Sequence, residues 1–199
     1  MSGTAINKND ARFLATQELL ETTFLRMLER DGFEKITVRK IVTEAGLNRG
    51  TFYLHALDKQ DLLEQIEHKI FEKMMVGISD VDKGALTDNP ASLWALMMQS
   101  ASYIGEHKET ILMLMSKNCD PLFFDKYSKK IKEKLFPEQS YRNVEEQYVI
   151  SLMGSIVGGL FGEWVRRGMK ETPKEYINIV MGIAAKTNIK ALSDMVMQH

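Results

Sequence analysis

The chain has 199 residues, a formal net charge of -1, 44% hydrophobic and 27% charged residues, a composition ordinary for a soluble globular protein that allows a sizeable core and a charge that excludes a general polyanion binder. The longest uncharged run, Gln147 to Gly162, falls short of the ~20 apolar residues a spanning helix needs, and residues Met1 to Asn9 are too polar for a secretory signal, so a cytoplasmic protein with no membrane segment is expected. A single cysteine, Cys119, excludes an internal disulfide and cannot build a zinc site by itself; it reads as a small inert hydrophobe, with redox sensing as the alternative.

Phe13, Leu20, Phe24, Met27 and Leu28 recur at helical spacing and predict a first helix, stopped at Asp31-Gly32, after which Phe33 folds back. Residues 36–59 then read ITVRKIVTEAGLNRGTFYLHALDK, the pattern of two short helices joined by a tight turn. Thr37 caps the first, with Ile36 and Ile41 as its hydrophobic staple. Val38, Ile41, Val42 and Ala45 make the inward face, and Gly46 supplies the positive φ that ends the helix. Leu47 plugs the corner. Asn48 caps a second helix from Arg49 to about His55, anchored inward by Phe52.

That arrangement leaves hydrogen-bonding and basic side chains facing outward, as a helix-turn-helix requires. Arg49 can pair with guanine or clamp a phosphate, Thr51 can bond either, Leu54 can meet a thymine methyl, and Arg39 can reach a base edge from the first short helix. Tyr53, His55 and Lys59 suit phosphates; Lys59 follows Asp58, a cap for the next helix, whose positive end could hold a phosphate. Between residues 35 and 59 five basic residues (Lys35, Arg39, Lys40, Arg49, Lys59) stand against two acids (Glu44, Asp58), so the positive field is local. The bland alternative is a helical hairpin with a solvated charged face.

From Asp58 a longer helix is predicted to about Met75, with Leu62, Leu63, Ile66 and Ile70 on one side. Residues 77–89 read as a connection, residues 90–106, 108–117 and 121–135 as helices, and residues 136–143 as a second break. Thr172-Pro173-Lys174-Glu175 is a capping box with proline at the first helical position; the helix it opens carries Ile177, Val180, Ala184, Thr187, Ala191 and Met195 as a stripe. The preceding helix bears Gly154, Gly158 and Gly162 at spacings of four, which suits close approach of another helix, in the same chain or in a second copy. Thirteen methionines are present. Met97, Met98 and Met113 with Trp94, Tyr103, Phe123 and Trp164 can line an adaptable apolar pocket, or equally fill a core. His107, Lys108 and Glu109, at a helix junction, could meet a polar ligand or form a solvated turn. No β-alternating run or internal repeat stands out, so the expected fold is all-α with about nine helices in all. Four scattered histidines (His55, His68, His107, His199), no Glu-x-x-His pair and no phosphate loop argue against an enzyme; no metal or cofactor is expected.

Through Thr37, Ile41, Ala45, Gly46, Thr51, Phe52, Tyr53, His55, Lys59 and Leu62-Leu63, in order and without gaps, the segment resembles the amino-terminal DNA-binding domain of the TetR family of bacterial transcriptional regulators. The resemblance implies backbone contacts for Thr37, Tyr53, His55 and Lys59, and places Arg39, Asn48, Arg49, Thr51 and Leu54 at or near base edges. Ala56 departs from the pattern, since many members have Phe or Tyr there. The stretch GLFGEWVRRGMKETPKEY resembles the carboxy-terminal domain of a subgroup common in Gram-positive bacteria. The implied organisation is a three-helix DNA-binding domain over residues 1–57 and a helical effector-binding and dimerisation domain over residues 58–199. Dimerisation through the last two long helices would involve Gly154, Gly158, Gly162, Val180, Ala184 and Ala191. The expected function is a homodimeric repressor that binds a pseudo-palindromic operator on double-stranded DNA and is released by a small-molecule effector. An activator or partner-binding co-regulator of the same fold is the alternative, and a helical-bundle enzyme a remoter one.

Overall fold

The computed structural model describes residues 11–76, 90–135 and 144–186. Among these, nine α-helices and no strand are present. They fall into two compact units, one running to His68 and including Lys117–Cys119, the other comprising residues from Lys69 to Ser116 and from Asp120 onward. The predicted connections at residues 77–89 and 136–143, and Thr187, Ala191 and Met195, lie outside the described residues.

In the first unit, α1 (Ala11–Asp31) buries Gln17, Leu20, Thr23, Phe24, Met27 and Leu28 along one stripe, as helical spacing dictates. Gly32 ends it at φ 75°, donating to the Leu28 carbonyl at 3.0 Å. A 3-10 turn at Phe33–Lys35 leads to α2 (Val38–Glu44), capped by the Thr37 hydroxyl, which accepts from the Lys40 N–H. Ile36 and Ile41, the staple pair, are both buried. At the other end Gly46 (φ 67°) donates to Thr43 at 3.3 Å and Leu47 to Val42 at 2.8 Å. That reciprocal pair is a Schellman closure, and it needs the left-handed glycine at its corner.

Next come α3 (Arg49–His55) and α4 (Lys59–Met74). Asp58 caps α4 by accepting from Gln60 N–H at 2.8 Å and Asp61 N–H at 2.9 Å, and the Asp61 carboxylate accepts in turn from Leu57 N–H. Leu62, Leu63 and Ile66 of α4 join Leu20, Phe24, Met27, Ile41 and Phe52 in the buried core.

In the second unit the helices are α5 (Pro90–Glu106), α6 (Lys108–Leu114), α7 (Phe123–Leu135), α8 (Val144–Arg166) and α9 (Pro173–Lys186). The sixth is three residues shorter than its spacing predicts. The seventh starts two residues later than predicted because Asp120 organises the turn before it, accepting from Leu122 N–H through Oδ1 and from Phe123 N–H through its carbonyl. A run of rings forms the centre: Phe71 lies 4.8 Å from Phe123 and 5.8 Å from Tyr127, and Tyr127 is followed by Phe161, Tyr176 and Trp164. Tyr127 donates to Ser100 Oγ at 3.2 Å, and Ser100 to the Met74 carbonyl at 2.6 Å. One buried phenol is thus satisfied within the core.

The glycine stripe of α8 is consumed inside the chain. Cβ atoms built on Gly154, Gly158 and Gly162 would meet Ser128, Phe124 and Lys132 of α7, and all three glycines are buried. Their spacing allowed close approach by a helix of the same chain or of a second copy, and α7 of the same chain packs on them. Val180 is buried as well, 6% exposed, and Ala184 is half-buried. The predicted capping box of α9 is present, with Glu175 accepting from Thr172 N–H at 2.9 Å and Thr172 Oγ1 accepting from Glu175 N–H at 3.3 Å.

Candidate nucleic-acid interface

Two turns of α3 carry the surface, and burial divides them sharply. Phe52 is fully buried, whereas Tyr53 and Leu54 are 53% and 55% exposed. Arg49 and Arg39 are exposed and form no ion pair among the described residues. A single inward anchor thus leaves adjacent basic, phenolic and apolar side chains outside, which is what reading a major groove requires.

Asn48 and Thr51 are tied to each other. The Asn48 Oδ1 accepts from Thr51 N–H at 2.8 Å and from the Thr51 hydroxyl at 3.2 Å, so the cap uses the Asn48 oxygen and leaves its amide nitrogen for a base or phosphate. Thr37 is exposed at the start of α2, its hydroxyl engaged in the cap.

The other two expected phosphate residues are more enclosed than spacing implies. The Lys59 ammonium donates to the Phe33 carbonyl at 2.9 Å and lies 4.2 Å from the centre of the Phe33 ring. Phe33 N–H in turn donates to the Asn118 carbonyl at 2.9 Å. His55 is half-buried, stacked on Phe13 at 4.0 Å, with Nδ1 2.9 Å from Gln17 Oε1. Burial lowers its pKa, and the charge of Glu21 opposes the shift. Local spacing does not assign Gln17, Phe33 and Gln65 to this site, since their contacts with it come from packing. Gln17 had one signal: it is a polar residue on the inward stripe of α1.

In the second unit a cleft of about 470 Å³ lies among α5, α6 and the α8–α9 turn, with Met98, Lys108, Trp164, Met169 and Pro173 in its lining. Gly168 and Met169 shape the turn with φ of 83° and 50°, closing α8 by bonds to Val165 and Trp164. Lys108 donates to the Gly168 carbonyl at 2.9 Å, and Trp164 Nε1 to the Glu171 carbonyl at 3.2 Å. Of the predicted pocket residues, Met98 and Trp164 border this cleft. Phe123 and Met97 are buried in the core; Tyr103 packs 4.2 Å from the His107 ring, Trp94 Nε1 donates to Asn178 Oδ1 at 3.4 Å, and Met113 is half-buried on α6. Among the described residues no acid, histidine and cysteine cluster could hold a metal ion, and no helix is long and apolar enough to cross a membrane.

Two short helices closed by a Schellman glycine, the second capped by asparagine and showing Arg49, Tyr53 and Leu54 outward, define a helix-turn-helix DNA-binding unit. The chain belongs to the TetR family of transcriptional regulators. Residues 23–66 match the family described as "Bacterial regulatory proteins, tetR family", and residues 95–186 match "Transcriptional regulator C-terminal region" of the same family. The chain is 36% identical over 50 residues to an uncharacterised HTH-type transcriptional regulator of Haemophilus influenzae. It is 24% identical over 106 residues to the uncharacterised HTH-type regulator YerO of Bacillus subtilis. These matches take in 25% and 53% of this chain, and the chain spans 27% and 37% of the length of those relatives.

Among solved structures, a TetR transcriptional regulator from Streptococcus agalactiae 2603V superposes with a TM-score of 0.60 at 18% identity, over 94% of this chain and 96% of that one. The dihydroxyacetone kinase operon activator DhaS gives 0.56 at 18% identity over 88% and 98%. The fatty acid degradation regulator FadR from Bacillus halodurans gives 0.54 at 12% over 92% and 97%. At these identities the likeness is one of fold.

Proposed function

We propose that the chain is a cytoplasmic, homodimeric repressor that holds a pseudo-palindromic operator and lets it go when a small molecule occupies the second unit. The observation that carries this reading is the split on α3, where Phe52 is buried while Arg49, Tyr53 and Leu54 stand outward. In this reading Arg39, Asn48, Arg49, Thr51 and Leu54 test bases, and Thr37, Tyr53, His55 and Lys59 hold phosphates. One helix of seven residues offers few contacts, so two copies in successive major grooves, about 34–36 Å apart, are needed for useful affinity.

Support for a dimer comes from the outer faces of α8 and α9. Tyr148 and Leu152, one turn apart, are exposed on α8, and Ile179 and Ile183 on α9. Gly159 and Gly182 add small positions where a Cβ would meet nothing. An apolar face of this kind, with small residues in it, suits close helix pairing between copies. The cleft beside Met98, Trp164 and Met169 has the size of a drug-like ligand site, and an occupant that favours a differently spaced dimer would lower DNA affinity by population shift.

The test is a gel-shift with wild type and the Arg49→Ala/Tyr53→Ala double variant, paired with a reporter assay in a deletion strain. Loss of the shift in the variant and a rise in target expression on deletion are expected. Equal DNA binding by both proteins counts against the residue assignment, and a fall in target expression on deletion indicates an activator.

A further inference from the structure

Gln17 is 8% exposed on the inward face of α1, and its amide is oriented by a chain of partners. On α4, Gln65 donates from Nε2 to the His55 carbonyl at 3.0 Å and to Asp61 Oδ2 at 3.1 Å. Neither acceptor has a hydrogen to offer, since Asp61 itself accepts from Leu57 N–H at 2.7 Å. Gln65 therefore turns its Oε1 toward Gln17, which donates to it from Nε2 at 3.1 Å and from the same nitrogen to Glu21. With both of those hydrogens used, Gln17 Oε1 is an acceptor, and it stands 2.9 Å from His55 Nδ1. His55 Nδ1 carries the hydrogen. Burial weakens the hold of His55 on a second proton against the opposing charge of Glu21, so near neutral pH its Nε2 is a bare lone pair. A phosphate oxygen has no hydrogen to give to that lone pair.

We propose that Gln17 is a positioning residue for DNA binding: by fixing His55 as the Nδ1–H tautomer, it makes a phosphate contact through Nε2 conditional on protonating the ring, so that DNA binding takes up a proton at His55. This rests on the DNA-binding role given to α3 and His55 above. The charged groups set against His55 through the network are Glu21 on α1 and Asp61 on α4. The sign follows from linkage. Because the complex holds the ring protonated, affinity is full below the pKa of free His55 and falls as pH rises through it, approaching about tenfold per pH unit per protomer.

The experiment combines nitrogen-15 NMR of the His55 ring in the free protein with titrations of a duplex selected from a randomised library, over about pH 6 to 8. Wild type, Gln17→Leu and Gln17→Glu are compared, with circular dichroism to establish folding. The wild-type ring is expected as the Nδ1–H tautomer, with affinity declining as pH rises. Gln17→Leu frees the ring for Nε2–H and flattens the decline. Gln17→Glu, which keeps an acceptor and adds charge, retains Nδ1–H and moves the decline to higher pH. An Nε2–H ring in the free wild type overturns the proposal, as does a wild-type affinity indifferent to pH or a Gln17→Leu profile identical to wild type. A wild type that binds no duplex at any pH overturns the DNA-binding reading as well, and so is told apart from failure of the proposal alone.

Discussion

A Cβ placed on Gly158 would overlap the Ser128 hydroxyl, which is itself bonded to the Phe124 carbonyl at 2.8 Å. The same Cβ would stand 2.9 Å from that carbonyl oxygen, so α7 and α8 approach to a separation that only glycine permits. Rotating Ser128 away cannot relieve the backbone contact. Gly158→Ala should therefore destabilise the chain by about 1–3 kcal/mol through overpacking, more than the ~1 kcal/mol that alanine returns in helix propensity. Gly159→Ala is the control, because its Cβ meets nothing within 4 Å and it should be neutral or stabilising by up to ~1 kcal/mol. Urea unfolding of the three proteins decides it, and equal midpoints for both variants would argue against the close crossing.

Asn48 has a capping role, and the DNA contact proposed for it can be tested apart from that role. Its Oδ1 caps α3 at 2.8 Å from Thr51 N–H, while its amide nitrogen takes no part in the cap. Asn48→Ala should cost about 1 kcal/mol of stability by losing the cap. Asn48→Asp keeps a capping oxygen and suits the positive helix end, so its melting temperature should hold near wild type, yet the added negative charge should weaken DNA binding. Thermal melts beside gel-shifts separate the two. Wild-type DNA affinity in the Asn48→Asp protein would remove Asn48 from the interface.

Helix ends were legible in the sequence because they depend on neighbours in the chain. Thr37, Gly46, Asn48 and the Thr172–Glu175 box each act within a few residues, and each is found in its expected role. What was not legible depends on partners far along the chain. Lys59 reaches Phe33, and His55 reaches Gln17, pairs no local pattern can announce. Spacing showed that Gly154, Gly158 and Gly162 invite a close helix, but not that α7 is the helix that comes. Methionines and aromatics look alike in a core and around a cleft, which is why Phe123 proved to be core while Met98 borders the cleft.

Lys59 allows a contribution to the fold to be separated from one to DNA binding. Its ammonium bonds a carbonyl and lies over the Phe33 ring, contacts worth about 1–2 kcal/mol together at a half-exposed site. Lys59→Met should lower unfolding free energy by that amount. If the ammonium also meets a phosphate, the variant should weaken binding to all duplexes alike and reduce the salt slope of log K by about 1. Loss of stability with an unchanged salt slope would assign Lys59 to the fold alone.

Arg30 should govern the acid limb of stability. Its guanidinium is 2.8 Å from Asp31 Oδ2 and 2.9 Å from Glu44 Oε2, and hydrogen bonds from Arg30 lead the causes that hold both carboxyls below their ordinary range. A carboxyl whose pKa is lower in the folded state than in the unfolded one stabilises the fold at pH above the unfolded value, and that contribution disappears as pH falls through the folded value. The window thus opens near pH ~4 and extends downward. Arg30→Ala should shrink the stability lost across that window while leaving its shape above about pH 5 unchanged. The groups are solvent-exposed, so the effect should also fade in high salt. Chemical unfolding of both proteins at a series of acid pH values, at low and high salt, measures it. An acid limb that is identical in wild type and Arg30→Ala would show that carboxyls elsewhere in the fold set the response.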